Sequence, residues 1–473
     1  MTTLPIPFSP MNKSADKPIM SVFNQDQRDG YWMEYLSPDG PKMIWAKRPG
    51  LTLFKDLGQS FGIDGMHYWG RQQRLFAATS SKMFKVDSGG TETDVTGTTV
   101  VASSTRPIFA DVLGTHLYSA SNGQISQFPA SGSGAHLSDP QAPTTVSFIA
   151  TLNQVLVGLN YLSDRFDWAD AGTPTVWSGL YASVEGQPDL ALALHAANGY
   201  LYFHGQSSLE AWRDDGDSFV REQQGVLQRG TLAAYSVSNI NGAFYWLDNT
   251  REICRLNGFT IDVISNPALS RYLKSFDTVT DARGDYLKIE GRHFYVLSFP
   301  TEGKTLVYDI GLNMWYEWGY WNSGTAEYEA WKGSCVADAT DWNKTLVGDR
   351  SASKIYEMGG TTDAGDTIRT VITTDAIDRK QPEVEKFCHE LTLHFKRADT
   401  ATTPKSMVIK YRDNGSTDWS TERTEAIEAP SKTDLIVRVR RLGKYRSRVW
   451  QFIMSDATQS ALFNATETFD YGR

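Results

Sequence analysis

The stretch Leu306 to Gly319, LVYDIGLNMWYEWG, constrains the fold more than any other part of the chain. Leu306, Val307 and Tyr308 are strand formers. Asp309 to Asn313 turns the chain, because Gly311 and Asn313 accept a positive φ. Met314 to Trp318 alternates again, and Gly319 closes it. Strand, tight turn, aromatic strand and glycine together make one hairpin of a small repeated β-sheet.

The pattern recurs. Gly65 to Val86 contains MHYWG, RLFAAT and KMFKV. Pro107 to Phe128 contains IFADVL, HLYSA and QISQF, with Asn122-Gly123 read as a two-residue hairpin turn. Asn198-Gly199, Asn241-Gly242 and Asn257-Gly258 punctuate later strands. The groups stand roughly 35 to 50 residues apart, the spacing of propeller blades. The expectation is an all-β chain with an irregular β-propeller of about six or seven blades over residues 51–360; a pair of β-sandwiches is the alternative. Aromatic content of 12% and 39 glycines agree with strands joined by many turns. One helix is expected, capped by Asn266, with Pro267 at its first position and Leu269, Tyr272, Leu273 and Phe276 on one face.

The flanks read differently. Residues 1–50 hold Pro5, Pro7, Pro10, Pro18, Pro38, Pro41 and Pro49, so an irregular N-terminal arm is expected. Tyr31, Trp32, Tyr35 and Trp45 make it an arm packed on the body or on a neighbour. Gly359 to Asp366, GGTTDAGD, reads as a linker. Beyond it, longer strands such as EVEKFCHELTLHFKRA and SRVWQFIMSD predict a separate C-terminal antiparallel β-sandwich domain over residues 361–473.

A net charge of −9 argues against sequence-specific DNA binding, which requires a basic face, and is compatible with a passive channel for DNA. Three scattered cysteines give no disulfide framework and suit a reducing compartment. The opening MTTLPIPFSP lacks the charged head and apolar run of a signal peptide. No run approaches the ~20 apolar residues of a membrane helix, so a soluble chain without its own membrane anchor is expected.

Little in the sequence suggests catalysis. Cys388 and His394 read as sharing one strand face, with His389 on the other, and their spacing is too long for a single zinc. No metal, no cofactor and no catalytic residue is expected. Tyr411 to Trp419, YRDNGSTDW, resembles the Asp box of sialidase propellers through Asp413, Gly415 and Trp419, although Trp419 comes one residue late. Such a box is a structural turn in which the aspartate accepts backbone N–H groups. A glycosidase needs two positioned carboxylates, and the sequence singles out no pair. GxxxxGK[ST], GxSxG and HExxH are all missing, so the chain is expected not to be an enzyme.

The densest charge run is RVRRLGKYRSR, with Arg438, Arg440, Arg441, Lys444, Arg446 and Arg448. Arg438 and Arg440 share a strand face. A turn at Gly443 would bring Arg446 and Arg448 back beside them. This predicts a basic contact patch for an acidic neighbouring subunit or for DNA phosphates, with a solvated hairpin face as the plainer alternative.

Several segments, in order along the chain, resemble the tail hub (nozzle) proteins of short-tailed bacteriophages, also called packaged DNA stabilisation proteins. They are RPGLTLF from Arg48, LYFHGQSSLEAW from Leu201, GAFYWLD from Gly242, GRHFYVLSFPTEGKTLVYD from Gly291, VGDRSASKIYEM from Val347, YRDNGSTDW and RLGKYRSRVWQFIMSD from Arg441. The resemblance implies a propeller-containing subunit of a homo-hexameric ring in the virion tail, assembled in the host cytoplasm. That ring would sit below the head-to-tail adaptor, extend the channel for double-stranded DNA, and hold the tail needle or plug; a tail fibre or tailspike is a further implied partner. A propeller-scaffold glycan-binding or glycan-degrading tail protein is the alternative function.

Overall fold

The computed structural model describes residues 1–8, 27–37, 40–99, 105–397, 405–427, 434–456 and 460–472. Pro10, Pro18 and Pro38 therefore lie outside the described residues. Among the described residues, apart from one helix and short 3₁₀ turns, the regular structure is all strand.

Among the described residues, seven antiparallel blades make the propeller: six are four-stranded meanders, and the seventh takes its fourth strand from before the first blade. Five are sheets of their own, at residues 63–94, 108–136, 146–183, 191–221 and 238–263. The sixth, at 283–322, and the seventh, at 333–358, are parts of larger sheets. The first strands of successive blades pack side by side around the ring, and the turn Ala234–Ser236 lies between the fourth and sixth blades. In four blades a bulge interrupts this first strand near its start, for example between Ile63 and Gly65 and between Gly333 and Cys335. Second strands such as Arg74–Thr79 and Val155–Asn160 are buried on both faces. They read as continuous apolar runs because a neighbouring blade covers each side.

The ring is closed by the strand Leu51–Asp56, which pairs antiparallel with Lys354–Met358 and supplies the outermost strand of the seventh blade. The hairpin that opened the sequence argument pairs Lys304–Asp309 with Met314–Asn322 in the sixth blade. Asp309 Oδ1 accepts the N–H groups of Gly311 and Leu312 at 2.9 and 3.0 Å, and Asn313 takes φ 53°. Asn198-Gly199 and Asn241-Gly242 are tight turns with both residues at positive φ. Asn122-Gly123 is not: it lies in a longer link between His116–Ala120 and Ser126–Pro129. Gly123 there exchanges backbone hydrogen bonds with Val146 of the next blade, at 3.1 and 2.8 Å. The helix spans Pro267–Lys274, with Asn266 Oδ1 accepting from Leu269 N at 2.8 Å. Leu269, Leu273 and Phe276 enter the core between the fifth and sixth blades.

The flanks differ from the sequence reading. Gly30–Ser37 and Gly40–Lys47 form a β-hairpin, not an irregular arm. Its second strand joins the long final strand Ser460–Tyr471, which also pairs with Thr2–Pro5 and with Lys386–Arg397. Both ends of the chain therefore build one face of the C-terminal sandwich. The opposite sheet contains Thr370–Thr373, Lys405–Asp413, Arg423–Ile427 and Arg448–Met454. Through Gln27–Arg28 this sheet runs on into the last strand of the sixth blade, giving ten strands in one sheet. The sandwich is therefore continuous with the propeller: one core combines Trp32 and Trp45, Phe294 and Trp318, Val347 and Tyr356, and Leu391, Trp450 and Phe452. Part of the expected linker is also ordered, with Thr362–Asp363 and Asp366–Thr367 pairing beside Leu51.

Candidate interaction surfaces

The join between propeller and sandwich is pinned by one buried arginine. Arg48 is fully buried. Its Nε donates to Asp29 Oδ1 at 2.7 Å, and its NH1 and NH2 groups donate to Asp363 Oδ1 and Oδ2 at 2.9 and 2.5 Å. NH2 also reaches the carbonyl of Gly319, at 2.8 Å, while Gly319 N donates to Asp29 Oδ1 at 2.9 Å. One guanidinium thus ties the N-terminal hairpin, the sixth blade and the segment after the seventh. Asp29 has φ 55°, because the chain leaves one sheet there and enters the other. Burial pushes the Asp29 carboxyl up to about 6, against the pull of Arg48. Arg48 is held above its ordinary value: burial opposes its charge, but Asp363 and Asp29 outweigh it.

The axis of the propeller is narrow. A cavity of about 230 Å³ lies there, lined by Arg106, Phe148, His195, Tyr235 and Asp285 among others. Arg106 is ion-paired with Asp285 and donates to Gly284 O at 3.2 Å; Phe148 stacks on Tyr235 at 5.3 Å. Burial lowers His195 to about 4 and keeps His204 well below its ordinary value. Among the described residues no cluster of three His, Cys, Asp or Glu side chains could hold a metal ion.

The basic run divides into two parts. Arg438 and Arg440 are exposed on the edge strand Asp434–Arg440, at 60% and 71%, and share Glu390, whose oxygens lie 3.7 and 2.8 Å away. Arg440 holds Glu390 below the usual carboxylate range. Arg441, Lys444 and Arg446 are also exposed, and Lys444 pairs with Glu385 at 3.1 Å. Arg423 caps the corner by donating to the carbonyls of Arg440 and Arg441 at 2.6 and 3.1 Å. Arg448, by contrast, is buried. It makes a two-pronged pair with Asp413 at 2.7 and 2.8 Å, and its guanidinium lies 4.1 and 4.4 Å from the rings of Tyr411 and Tyr445. Lys444–Tyr445 still pairs with Lys386 and Phe387 in the sheet of Arg438, and the chain crosses to the other sheet only after Tyr445, so Arg448 does not return beside Arg438.

This pairing also changes the reading of the Asp box. Asn414 and Gly415 make the turn, at φ 55° and 78°, but the Asp413 carboxylate is taken by Arg448 and not by the turn's own N–H groups. Trp419 lies against Arg412, with 4.8 Å from guanidinium carbon to ring centre. The cysteine–histidine strand is corrected as well. A bulge between Cys388 and Glu390 shifts the register, so Cys388 points into the core and His394 faces the other way. The Arg48 pin and the buried Glu467, which accepts from Tyr445 Oη at 2.7 Å and pairs with Arg379 at 2.9 Å, were not singled out from the sequence. Isolated charges in strand-like text carry no local signal of burial.

Fold and surfaces together describe a β-propeller whose closing blades are welded to a second β-module. The chain belongs to the family described as Bacteriophage P22 Gp10, beta-propeller, whose profile matches residues 37–363. It is thus a bacteriophage structural protein of the packaged DNA stabilisation class. No curated protein matches the chain. Among solved structures it is similar to the extracellular domain of a one-component system protein, BT4673, from B. thetaiotaomicron, at 9% identity and TM-score 0.44, covering 87% of this chain and 62% of that one. Virginiamycin B lyase from Staphylococcus aureus matches at 10% identity and TM-score 0.44, over 65% of this chain and 98% of the lyase. The Pan2 WD40 domain from Neurospora crassa matches at 7% identity and TM-score 0.44, over 67% of this chain and 98% of that domain. Likeness at this level fixes nothing about function.

Proposed function

We propose that the chain is a subunit of a homo-hexameric ring in a short phage tail, below the head-to-tail adaptor. The ring extends the DNA channel and, with a needle or plug, retains packaged DNA until ejection. Its work is mechanical and not catalytic, and its place is the virion tail, with assembly in the host cytoplasm. Family membership across the propeller carries this reading. Two physical features agree with it. A ring that resists internal DNA pressure must be stiff, and here a single apolar core runs from blade to sandwich. The axial cavity of about 230 Å³ is far too small for a duplex, so a DNA channel would have to lie between several copies.

The test is electron microscopy of heads that carry the adaptor but lack this protein, before and after it is added. A six-fold ring at the tail vertex with DNA retained is the expected result; DNA loss unaffected by the protein would refute the reading.

A further inference from the structure

We propose that the exposed cations of the C-terminal edge dock onto an acidic groove on the third and fourth blades of a second copy of this chain. The contact rests on the ring reading above and gives it a specific joint.

The edge combines charge with apolar surface. Arg438, Arg440, Arg441, Lys444 and Arg446 are exposed, and the carboxylates within ion-pair reach of them are Glu390 and Glu385. No described carboxylate lies within that reach of Arg441 or Arg446. Clustered like charges are destabilising unless something opposes them. Ile436 and Phe387 stand beside the cations, 57% and 42% exposed. Ile436 follows the alternation of its strand and faces outward with Arg438 and Arg440.

The complementary surface lies between the third and fourth blades. A cleft of about 560 Å³ is lined by Asp164, Glu185, Gly186, Asp189 and Gln206. Asp189 is consumed by Ser207 and Ser208, whose backbone N–H groups donate to it at 2.6 and 3.0 Å. Asp164 and Glu185 have no described cation within ion-pair distance. Tyr161 and Leu162, in the turn that leads to Asp164, are 48% and 63% exposed. Carboxylates without an ion-pair partner, near exposed apolar side chains, mirror a cluster in which five cations share two carboxylates beside exposed Ile436 and Phe387.

Position makes the match a joint between copies. The sandwich leaves the ring at the sixth blade, and the groove lies two to three blades away in one direction and four to five in the other. Two unlike, complementary patches on separated flanks give a heterologous contact, the kind that closes into rings.

The experiment is a charge swap on tail-deficient, adaptor-bearing heads at low and high salt. One variant carries Arg438→Glu and Arg440→Glu; the other carries Asp164→Lys and Glu185→Lys. All four positions lie outside the cores, and a thermal melt matching the native chain checks folding. Each variant alone should form each joint about tenfold more weakly than the native chain, roughly 1.4 kcal/mol, and complete few rings. An equimolar mixture should restore rings, because every reversed edge then meets a reversed groove. Rings formed by either variant alone at native yield would overturn this contact while leaving the ring reading intact. Failure of the native chain to join the heads at all would overturn both.

Discussion

The first five blades and the last two obey different rules. Each of the five is a four-stranded sheet of its own, and the strands of each pair within it, the Gly123–Val146 bridge between the second and third aside. The sixth and seventh are completed by strands from elsewhere: Gln27–Arg28 beside the sixth, Leu51–Asp56 and Thr362–Asp363 beside the seventh. A self-contained blade can be strained or repaired locally. A blade sharing its sheet with both chain ends passes its strain to the sandwich, and Arg48 stands at that crossing.

The largest break in this contrast comes from Arg48→Met. It leaves Asp29 and Asp363 buried without their counter-charge and should cost about 3–5 kcal/mol, as removing one partner of a buried pair does. Denaturant unfolding should show the loss, and limited proteolysis should cut first in residues 27–56. Cuts appearing first within residues 63–263 would mean that the pin does not separate the two regions.

Next in size is pH. Asp29, raised to about 6 when folded, binds a proton more readily folded than unfolded. Its contribution is complete below its unfolded pKa of 3.8 and is lost as pH rises through 6. His67 and His195, lowered to about 4, have the opposite sign: their contribution is full above 6.5 and is lost as pH falls toward 4. Acid should therefore loosen the blades while favouring the junction. Hydrogen exchange at pH 4.5 and 7.5 should show these opposite trends. Asp29→Asn should remove the junction's dependence and leave that of the blades.

A smaller effect is expected at Asn266→Ala, which removes the helix cap and should cost ~1 kcal/mol. The change in exchange should stay within the core of the fifth and sixth blades. Smaller still in stability, the triple change Arg438→Ser, Arg440→Ser and Arg446→Ser should leave the melting temperature within a degree or so, since exposed pairs contribute ~0–1 kcal/mol. On the proposed function its expected effect is in the particle: heads that package DNA and then lose it, scored by the fraction of full heads.

Most of the propeller was legible because each blade is local. Turns, β-formers and aromatic runs lie within roughly 40 residues of their partners, which is where pattern reading works. The flanks failed where pairing was distant. Prolines near Gly30–Lys47 suggested an irregular packed arm, yet Trp45 and Ala46 pair with Leu462 and Ala461 at the far end of the chain. Ser460–Tyr471 was not recognised as a strand, since its inward face includes the buried Glu467. In the basic run, alternation correctly assigned Arg438 and Arg440 to one face. It failed for Arg448, whose charge is absorbed by Asp413 across 35 residues. The Cys388 strand was misread because one extra residue inverts its register, and composition leaves no trace of a bulge.

The closing strand Leu51–Asp56 also sets a timetable for synthesis. It leaves the ribosome early, but its partner Lys354–Met358 is about 300 residues away. At ~5–20 residues per second, the ring stays open for about 15–60 s while the first six blades are made. The hairpin before it waits longer, for Ser460–Tyr471 at the other end of the chain. During that interval the aromatic faces of Trp32 and Trp45 have no cover, and a nascent chain is most exposed to pairing with the wrong copy. A truncated product ending before residue 460 could not complete this hairpin's sheet, so the chain's architecture makes full-length synthesis a precondition for closing the sandwich.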